Sequence, residues 1–544
     1  MNAKPSKTWR VMNLSLGLDE AESALRERAA KAAGVDPARV RGFRIARKSV
    51  DARKRGGRRQ FKYVVHADLV LDHDETGKRF RAAVKAGKVK EAPRVGTFGV
   101  DGLPSSVRDL RVVVVGTGPA GLYAALVLAT NGAAVTIVDR GGGLARRGKD
   151  LAGFLRSRTP DPESNLLFGE GGAGTYSDGK LYTRVDDPLE VPCLEELVRR
   201  GAPADILYDA RAHIGTDRLH KLLPRFRAGI EAKGGSFAFG TRLDGLVIDE
   251  GPPRRVRAVA TSQGEIPCDA LFLAPGHSAR DTIRALSAQG VVVRAKPFQL
   301  GVRIEHPQEL ITKGRWGDGP EAGLLGPASY NLVCKAGGGA PGAHSFCMCP
   351  GGKIVASVNE PGTLCTNGMS NSMRSSPWAN AALVTTFGPA EFGDGPFAGM
   401  EFQERLEREF FEAGGGDYTA PAQRADDFLA GRLTTGPMKT SYSFGTCPGR
   451  IDELLPERAR DALAAALARF DRQIPGFAGP EGLLVGLESR SSGPVRLPRD
   501  RESFCAEGFA NLYPIGEGAG FAGGIMSAAI DGARAAKRFL EGLA

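Results

Sequence analysis

Cysteine is scarce in this chain, 8 of 544 residues, too few for a disulfide scaffold of this length. Long apolar runs are missing as well. No stretch approaches the roughly 18 uninterrupted apolar residues of a membrane helix. Residues 1–10 are polar and lack the apolar core of a signal peptide. These absences predict a soluble, cytoplasmic protein whose thiols are mostly reduced. No C-x₂-C pair of the zinc-binding kind occurs, and no metal site is expected. With 7 histidines in the whole chain, no His/Asp/Ser constellation for nucleophilic catalysis is legible either.

What is present is ordinary globular material with two outliers. Apolar residues make up 42% and charged residues 25%, which excludes disorder, collagen and coiled coil as whole-chain descriptions. At roughly 150 residues per domain the length predicts three to four domains. Glycine is the first outlier: 73 residues, about 13% against a usual ~7%, which points to tight turns and to backbone lying close to a ligand. Charge distribution is the second. Residues 1–108 hold 25 Lys and Arg against 12 Asp and Glu, so the net +11 of the chain resides at one end and the rest is nearly neutral. A separate basic module follows from that asymmetry.

Periodicity predicts a small α+β unit in the basic segment: an alternating strand at 9–16, an amphipathic helix over 19–33 stopped by Gly34, and strands at 40–46 and 61–71. A strongly basic hairpin or loop, 48–59, lies between those strands, and 77–102 reads as an irregular linker. At Arg111 the character changes. Residues 112–115 form a β-branched run suited to a strand buried on both faces of a parallel sheet. A glycine turn, an apolar helix and a second buried strand at 134–138 follow. A helix at 217–232 and short strands around Phe237, Leu246, Val256 and Leu271 suggest an antiparallel meander inserted in the α/β domain. The last residues return to this style, with a strand at 512–515, a glycine turn and a helix from about Gly524 to Leu540. The expected organisation is α/β: a basic α+β module at 1–104, a Rossmann-like nucleotide-binding domain at 105–290 carrying the meander, a mixed α+β substrate domain at 291–480, and the closing part of the nucleotide-binding domain at 481–544.

The turn Gly116-Thr-Gly-Pro-Ala-Gly121 lies between a strand and a helix, and Asp139 follows 23 residues after its first glycine. That context fits the dinucleotide fingerprint of a βαβ unit. Gly116 permits the tight turn, and Gly118 lets the backbone approach a pyrophosphate at the helix N-terminus, where Pro119 and Ala120 begin the helix. Gly121 allows helix and sheet to pack closely. Asp139 is the expected acceptor for a ribose hydroxyl, with Arg140 beside it. FAD and NAD share this fingerprint, and no second copy exists for a separate nicotinamide domain.

Tyr513-Pro-Ile-Gly-Glu-Gly-Ala-Gly-Phe-Ala-Gly-Gly-Ile-Met526 resembles the second FAD motif of the glutathione-reductase-like flavoprotein fold. The resemblance implies that Gly516 and Glu517 run beside the cofactor. It also implies that Gly523, Gly524 and Ile525 start a helix whose positive end faces the flavin pyrimidine ring. Leu271-Phe-Leu-Ala-Pro-Gly-His277 resembles the strand-plus-glycine motif that closes the meander in this fold, and assigns Gly276 to the cofactor. Phe168-Gly-Glu-Gly-Gly-Ala-Gly-Thr-Tyr-Ser-Asp-Gly-Lys-Leu181 is too glycine-rich for a core element; Gly171, Gly172, Ala173 and Gly174 are placed to lay backbone N–H groups against FAD. Together with Ser49-Val-Asp-Ala-Arg-Lys54, His213-Ile-Gly-Thr-Asp217 and Ser345-Phe-Cys-Met-Cys-Pro-Gly-Gly352, these motifs make nearly the whole chain similar to a bacterial family of uncharacterised FAD-dependent dehydrogenases or oxidoreductases. The resemblance implies FAD as cofactor, an unidentified small-molecule substrate and an unidentified electron donor or acceptor. Asp139 departs from the Glu usual at its position.

A flavoenzyme's chemistry resides largely in its cofactor, with the protein supplying position and electrostatics. Lys180 is a candidate catalytic residue, reaching flavin N5, the C4 oxygen or an anionic substrate; the alternative is a lysine on a solvated loop face. Cys347 and Cys349 stay open between buried thiols, a redox pair and, least favoured, a metal site. Arg303-Ile-Glu-His306 and Glu488-Ser-Arg-Ser-Ser-Gly-Pro-Val-Arg496 read either as pocket lining or as paired charges at a domain boundary. The Gly-Asp-Ala-x-His motif of flavin hydroxylases is absent. Two rivals to the oxidoreductase reading remain. One is a flavoprotein that binds or modifies RNA through Arg41, Arg44, Lys48, Arg53, Lys54, Arg55, Arg58 and Arg59, with Phe43, Phe61 and Tyr63 nearby. The other is a protein whose FAD serves stability only.

Overall fold

The computed structural model describes residues 7–55, 58–72 and 77–544. The basic module is a four-stranded antiparallel sheet in the order Val40–Asp51, Lys62–Leu71, Thr8–Leu16, Val89–Glu91. Helices Leu25–Ala33 and Lys78–Lys85 pack on it around Val11, Leu25, Val65, Leu69 and Phe80. Gly34, at φ 71°, ends the first helix as its pattern predicts. That helix begins only at Leu25, after a short 3₁₀ turn at Glu22–Ala24. The segment 77–102 is not simply a linker: Phe80 and Ala83 give it a buried helical face, and Val89 pairs with the first strand. The basic segment is likewise partly strand, since Val40–Asp51 continues through Lys48 and pairs with Lys62–Leu71.

The nucleotide-binding fold is a five-stranded parallel sheet in the order Leu512–Pro514, Ala270–Leu273, Arg111–Val115, Ala134–Asp139, Ser236–Phe239. Val112 to Val115 are all buried, as a strand covered on both faces requires. The strands at Phe237 and Leu271 therefore belong to this sheet. The meander itself comprises Leu243–Asp249, Arg255–Thr261 and Gly264–Pro267. Helix Pro119–Thr130 is buried from Ala120 to Ala129 and packs against the chain's last helix, Ile525–Glu541. Their approach is so close that a Cβ at Gly532 would lie 2.0 Å from the Ala120 carbonyl oxygen.

The second domain is a seven-stranded sheet in the order Val333–Cys334, Ala343–Cys349, Trp378–Phe387, Phe298–Pro307, Leu483–Glu488, Ala420–Arg424, Thr446–Pro448. Helices Ala398–Ala413 and Glu457–Asp471 contribute Leu406, Phe410, Leu463 and Phe470 to its core. A division at 480/481 does not follow this sheet. Leu483–Glu488 is fully buried and pairs with both Phe298–Pro307 and Ala420–Arg424, because its uninterrupted apolar run suits a central strand. The two sheets are tied by a buried charge cluster in which Arg280 and Arg490 both clasp Glu407, at 2.9 Å and 2.6 Å. The basic module docks onto the nucleotide-binding fold through backbone bonds: Lys48 N–H donates to Tyr208 O at 2.7 Å, and Ala210 N–H donates to Lys48 O at 2.9 Å.

Candidate functional site

Helices Pro119–Thr130 and Ile525–Glu541 both begin at the wall of one cavity of about 840 Å³, toward the upper end of the ~300–1,000 Å³ usual for small-molecule sites. Each has glycine at its N-cap, Gly118 and Gly524, so no capping side chain stands between the first-turn N–H groups and the cavity. Two positive helix ends thus face one space, an arrangement suited to anionic groups. The two glycines of the turn differ sharply. At Gly116 the backbone is left-handed, φ 98°, and a Cβ would lie 2.1 Å from the Ala274 carbonyl oxygen; at Gly118 a Cβ would meet nothing within 4 Å. The first glycine is required by the fold, whereas the second leaves space that the fold does not fill.

Every candidate residue lines the cavity except Gly121, Gly171 and Cys349. Gly121 packs behind the turn, where a Cβ would strike the Gly116 carbonyl oxygen at 1.9 Å. Gly171 shapes the glycine-rich loop from behind, against Thr175 and Leu223. Cys349 is fully buried. Gly276, Gly516, Glu517, Gly523, Gly524 and Ile525, from the second motif and the end of the strand at Leu271, also line the cavity, with Gly516 against Ala120 and Ile525 against Gly174. Glu517 accepts from Gly493 N–H at 2.7 Å, and burial raises its carboxyl above the usual range.

Asp139 lies where its spacing predicts, yet its expected ribose role meets a physical obstacle. Its Oδ2 accepts from Thr117 N–H at 2.8 Å and from Thr117 Oγ1 at 2.5 Å, and its Oδ1 accepts from Gly141 and Gly169 N–H, both at 2.9 Å. Four donors occupy the roughly four acceptor sites of a carboxylate. Asp139 therefore ties the phosphate-type turn to the glycine-rich loop and has no acceptor site left for a ribose hydroxyl. Arg140 is likewise committed to Glu163 and Asp281, at 2.6 Å and 2.8 Å, and packs over the Phe168 ring.

The main organiser of the loop is Arg147, a residue the sequence did not single out. Fully buried, it donates to the carbonyl oxygens of Asn165 at 2.7 Å, Glu170 at 2.8 Å and Gly172 at 2.9 Å. Burial pulls its guanidinium down to about 10, with Tyr176, Asp139 and Glu170 opposing. In sequence it is one of two adjacent arginines on an amphipathic helix, and nothing there distinguishes it from Arg146.

Lys180 and Cys347 meet on the side formed by the second domain. Lys180 Nζ lies 3.1 Å from buried Asp178. Burial works against its charge, but Asp178 and the two thiols outweigh that and raise its pKa. Asp178, inside the quoted loop, also accepts from Ser370 Oγ. His213 stands beside this pair in a backbone bridge to Lys180, and burial together with Arg374 lowers its pKa. Behind the wall, Arg303 and Glu488 form a fully buried pair at 3.0 Å. Burial pushes Glu488 up to about 7 against the pull of Arg303. The first segment reads as paired charge, with Arg303 also donating to Cys347 O at 3.1 Å, whereas Arg490, Ser491 and Ser492 of the second line the cavity.

Several candidate cations of the basic module are engaged within the protein, while Arg47, Lys85, Lys88 and Lys90 are exposed. Arg44 pairs with Asp68, Lys48 with Glu22, Arg53 with Asp51, and Arg59 donates to Gly314 O of the second domain at 3.0 Å. Phe61 packs edge-on against Trp316, and Tyr63 lies under Lys48. The side chains of Lys54, Arg55 and Arg58 lie outside the described residues. Also among the described residues, no helix is long and apolar enough to cross a membrane, and no cluster of three metal-ligating side chains occurs.

Comparisons with known proteins agree with this layout. Residues 110–304 match the pyridine nucleotide-disulphide oxidoreductase family model, and residues 297–491 match the model described as FAD-dependent protein, C-terminal domain-like. A domain of unknown function matches residues 9–69. An uncharacterized protein of Clostridium beijerinckii is 37% identical over 537 residues, covering 98% of both chains. Among solved structures, L-proline dehydrogenase from P. horikoshii is 11% identical with a TM-score of 0.33, covering 80% of this chain and 94% of its own. The glycerol-3-phosphate dehydrogenase of Bacillus halodurans, complexed with FAD, is 10% identical with a TM-score of 0.34, covering 80% of this chain and 64% of its own. At such scores these two structures constrain neither substrate nor site.

Proposed function

Since the chain belongs to a family of FAD-dependent oxidoreductases, we propose that it holds FAD non-covalently between its two helix starts and exchanges a hydride with an anionic small molecule at the Lys180 side of the cavity. The observation that carries this reading is the convergence of Gly118 and Gly524, two helix starts with glycine at the N-cap, on one cavity with open space at Gly118. The turn 116–121 and the loop residues Gly172 to Gly174 would hold the pyrophosphate. Gly276, Gly516 and the start of helix Ile525–Glu541 would hold the flavin end. Asp139 and Arg147 fix the loop that closes over the cofactor. Bound FAD supplies two-electron hydride exchange at its N5.

The chain's own contribution at the substrate side is a fixed positive charge. Lys180 Nζ is protonated and held by Asp178, so it can neutralise a carboxylate without giving up a proton. Of the seven Lys and Arg side chains that line the cavity, Arg140, Arg242 and Arg490 are held by carboxylates outside it, while Arg184, Arg211 and Arg374 join Lys180 in favouring an anionic ligand. A test is anaerobic mixing of the purified flavoprotein with NADH, NADPH and a panel of amino and hydroxy acids. The reading expects at least one donor to bleach the flavin, and Lys180→Ala to raise the concentration of an acidic donor needed for half-maximal bleaching. A flavin that dithionite reduces but no donor touches would mean that FAD serves the fold alone.

A further inference from the structure

The strand Ala343–Cys349 leaves its register with Trp378–Phe387 between Phe346 and Cys349, a one-residue bulge. Within it Cys347 adopts φ 44°, a left-handed backbone that is uncommon for any residue but glycine. Bulges re-aim side chains next to sites, and here the consequence is specific. Cys347 lines the cavity while Cys349 sits fully buried behind it, its Sγ donating to Cys347 O at 3.3 Å. Arg303 grips the same carbonyl at 3.1 Å and lies 3.8 Å from Cys349 Sγ, its charge balanced by Glu488. The pair is thus asymmetric: one thiol is accessible from the chamber and the other is held directly behind it.

We propose that Cys347 and Cys349 are an attacking and a resolving thiol that together reduce small anionic disulfides in this chamber. The placement of the couple beside the flavin rests on the functional reading above, while its exchange chemistry does not. In the first step Cys347 Sγ attacks one sulfur of R–S–S–R; that S–S bond breaks, a mixed disulfide with Cys347 forms, and RS⁻ leaves and takes a proton from solvent. In the second, Cys349 gives up its proton and attacks Cys347 Sγ, breaking the mixed disulfide and releasing the second RSH. The substrate gains two electrons and the pair loses two, becoming an intrachain disulfide. Two electrons and two protons return it to the dithiol, an exchange of the class that a two-electron flavin carries.

The surroundings support both roles. The Cys349 thiol hydrogen bond and the nearby Lys180 and Arg303 charges outweigh burial and push the Cys347 thiol down, as an attacking thiolate needs, while the same pairing and burial push Cys349 up. Substrate charge follows from the lining. Lys180, Arg184 and Arg374 share the chamber with Cys347, and the Nε of Arg374 is buried without a hydrogen-bond partner.

The test uses the purified holoprotein with two disulfide probes, dianionic dithiobis-nitrobenzoate and neutral dithiodipyridine. Cys447 and Cys505 are also half-buried and give a background common to every variant. Above it, the wild type should show a fast phase releasing two probe thiols, and mass spectrometry should find the peptide spanning both cysteines lighter by two hydrogens. Cys349→Ser should release one thiol and retain half of the probe on Cys347; Cys347→Ser should lose the fast phase. Arg374→Ala should slow the anionic probe about tenfold and leave the neutral one unchanged. A wild type with no fast phase, or one that retains the probe as Cys349→Ser does, overturns the proposal. Flavin content measured on the same samples separates the two claims. Bound flavin without a fast phase defeats the couple alone, and a fast phase in a protein that binds no flavin defeats the flavin reading alone.

Discussion

Two glycines one residue apart make opposite demands, and substituting each separates the fold from the ligand. Gly118 has φ −68° and nothing within 4 Å of an added Cβ, so the Cβ of Gly118→Val meets no protein atom there. Losing glycine should help the folded state by about 0.4–1 kcal/mol through the unfolded chain, offset by the poorer N-cap, a few tenths to ~1 kcal/mol. The apoprotein melting temperature should therefore stay within a few degrees. The branched side chain instead enters the space assigned to the pyrophosphate. A ligand present at 100 times its Kd stabilises by about 2.7 kcal/mol, and that increment should vanish. Gly116→Ala reverses the pattern. A left-handed backbone costs about 1–2 kcal/mol for a residue with a Cβ, and the 2.1 Å approach to Ala274 O adds an overpacking cost of about 1–3 kcal/mol. Its apoprotein should lose about 2–5 kcal/mol. The assay is thermal unfolding of both apoproteins with and without FAD. A Gly118→Val protein that still gains stability from FAD, or one that is as unstable as Gly116→Ala, would refute the reasoning.

Three further outcomes follow from the geometry. Asp139→Asn turns one acceptor oxygen into a donor facing other donors, and losing hydrogen bonds to a charged acceptor costs about 1.5–3 kcal/mol each; the apoprotein's melting temperature should fall, whereas an effect on FAD affinity alone would restore the ribose role. His306 is fully buried, with Nε2 on Phe477 O at 2.8 Å and Nδ1 unpartnered, and burial lowers it from 6.5 to about 4. Because the folded value lies below the unfolded one, its contribution is complete above pH 6.5 and is lost as pH falls toward 4, about 3 kcal/mol in all; urea titrations at several pH values should show a shallower acid slope for His306→Gln, and equal slopes would refute the assignment. Arg44, Lys48, Arg53 and Arg59 of the basic module are engaged within the protein, so filter retention of RNA by the full chain should be weak at physiological salt; a log–log slope of about −4 to −5, five or six phosphate contacts, would reinstate an RNA face.

The nucleotide-binding half was legible because its signals are local. A β-branched run, a glycine turn and a buried helix follow one another in sequence, and the second motif repeats that grammar at 512–541. The fate of Asp139 was not legible, because its four donors come from Thr117, Gly141 and Gly169, and the last joins only when the loop folds back. Arg147 was hidden for the same reason: its partners are backbone carbonyls, which no residue type announces. The 77–102 segment misled because its helix is short and its charges dominate the pattern. The pairing of Cys347 with Lys180 and Arg303 joins three distant segments, so the sequence could mark the cysteines but not their surroundings.

The most direct measurement is the identity and amount of nucleotide that the heat-denatured protein releases. Chromatography of the supernatant from the purified full chain, reconstituted with FAD if necessary, should yield about one FAD per chain and neither FMN nor NAD, with Gly118→Val yielding almost none. A well-folded wild type that releases no flavin and cannot be reconstituted, or that releases FMN or NAD instead, would contradict the account.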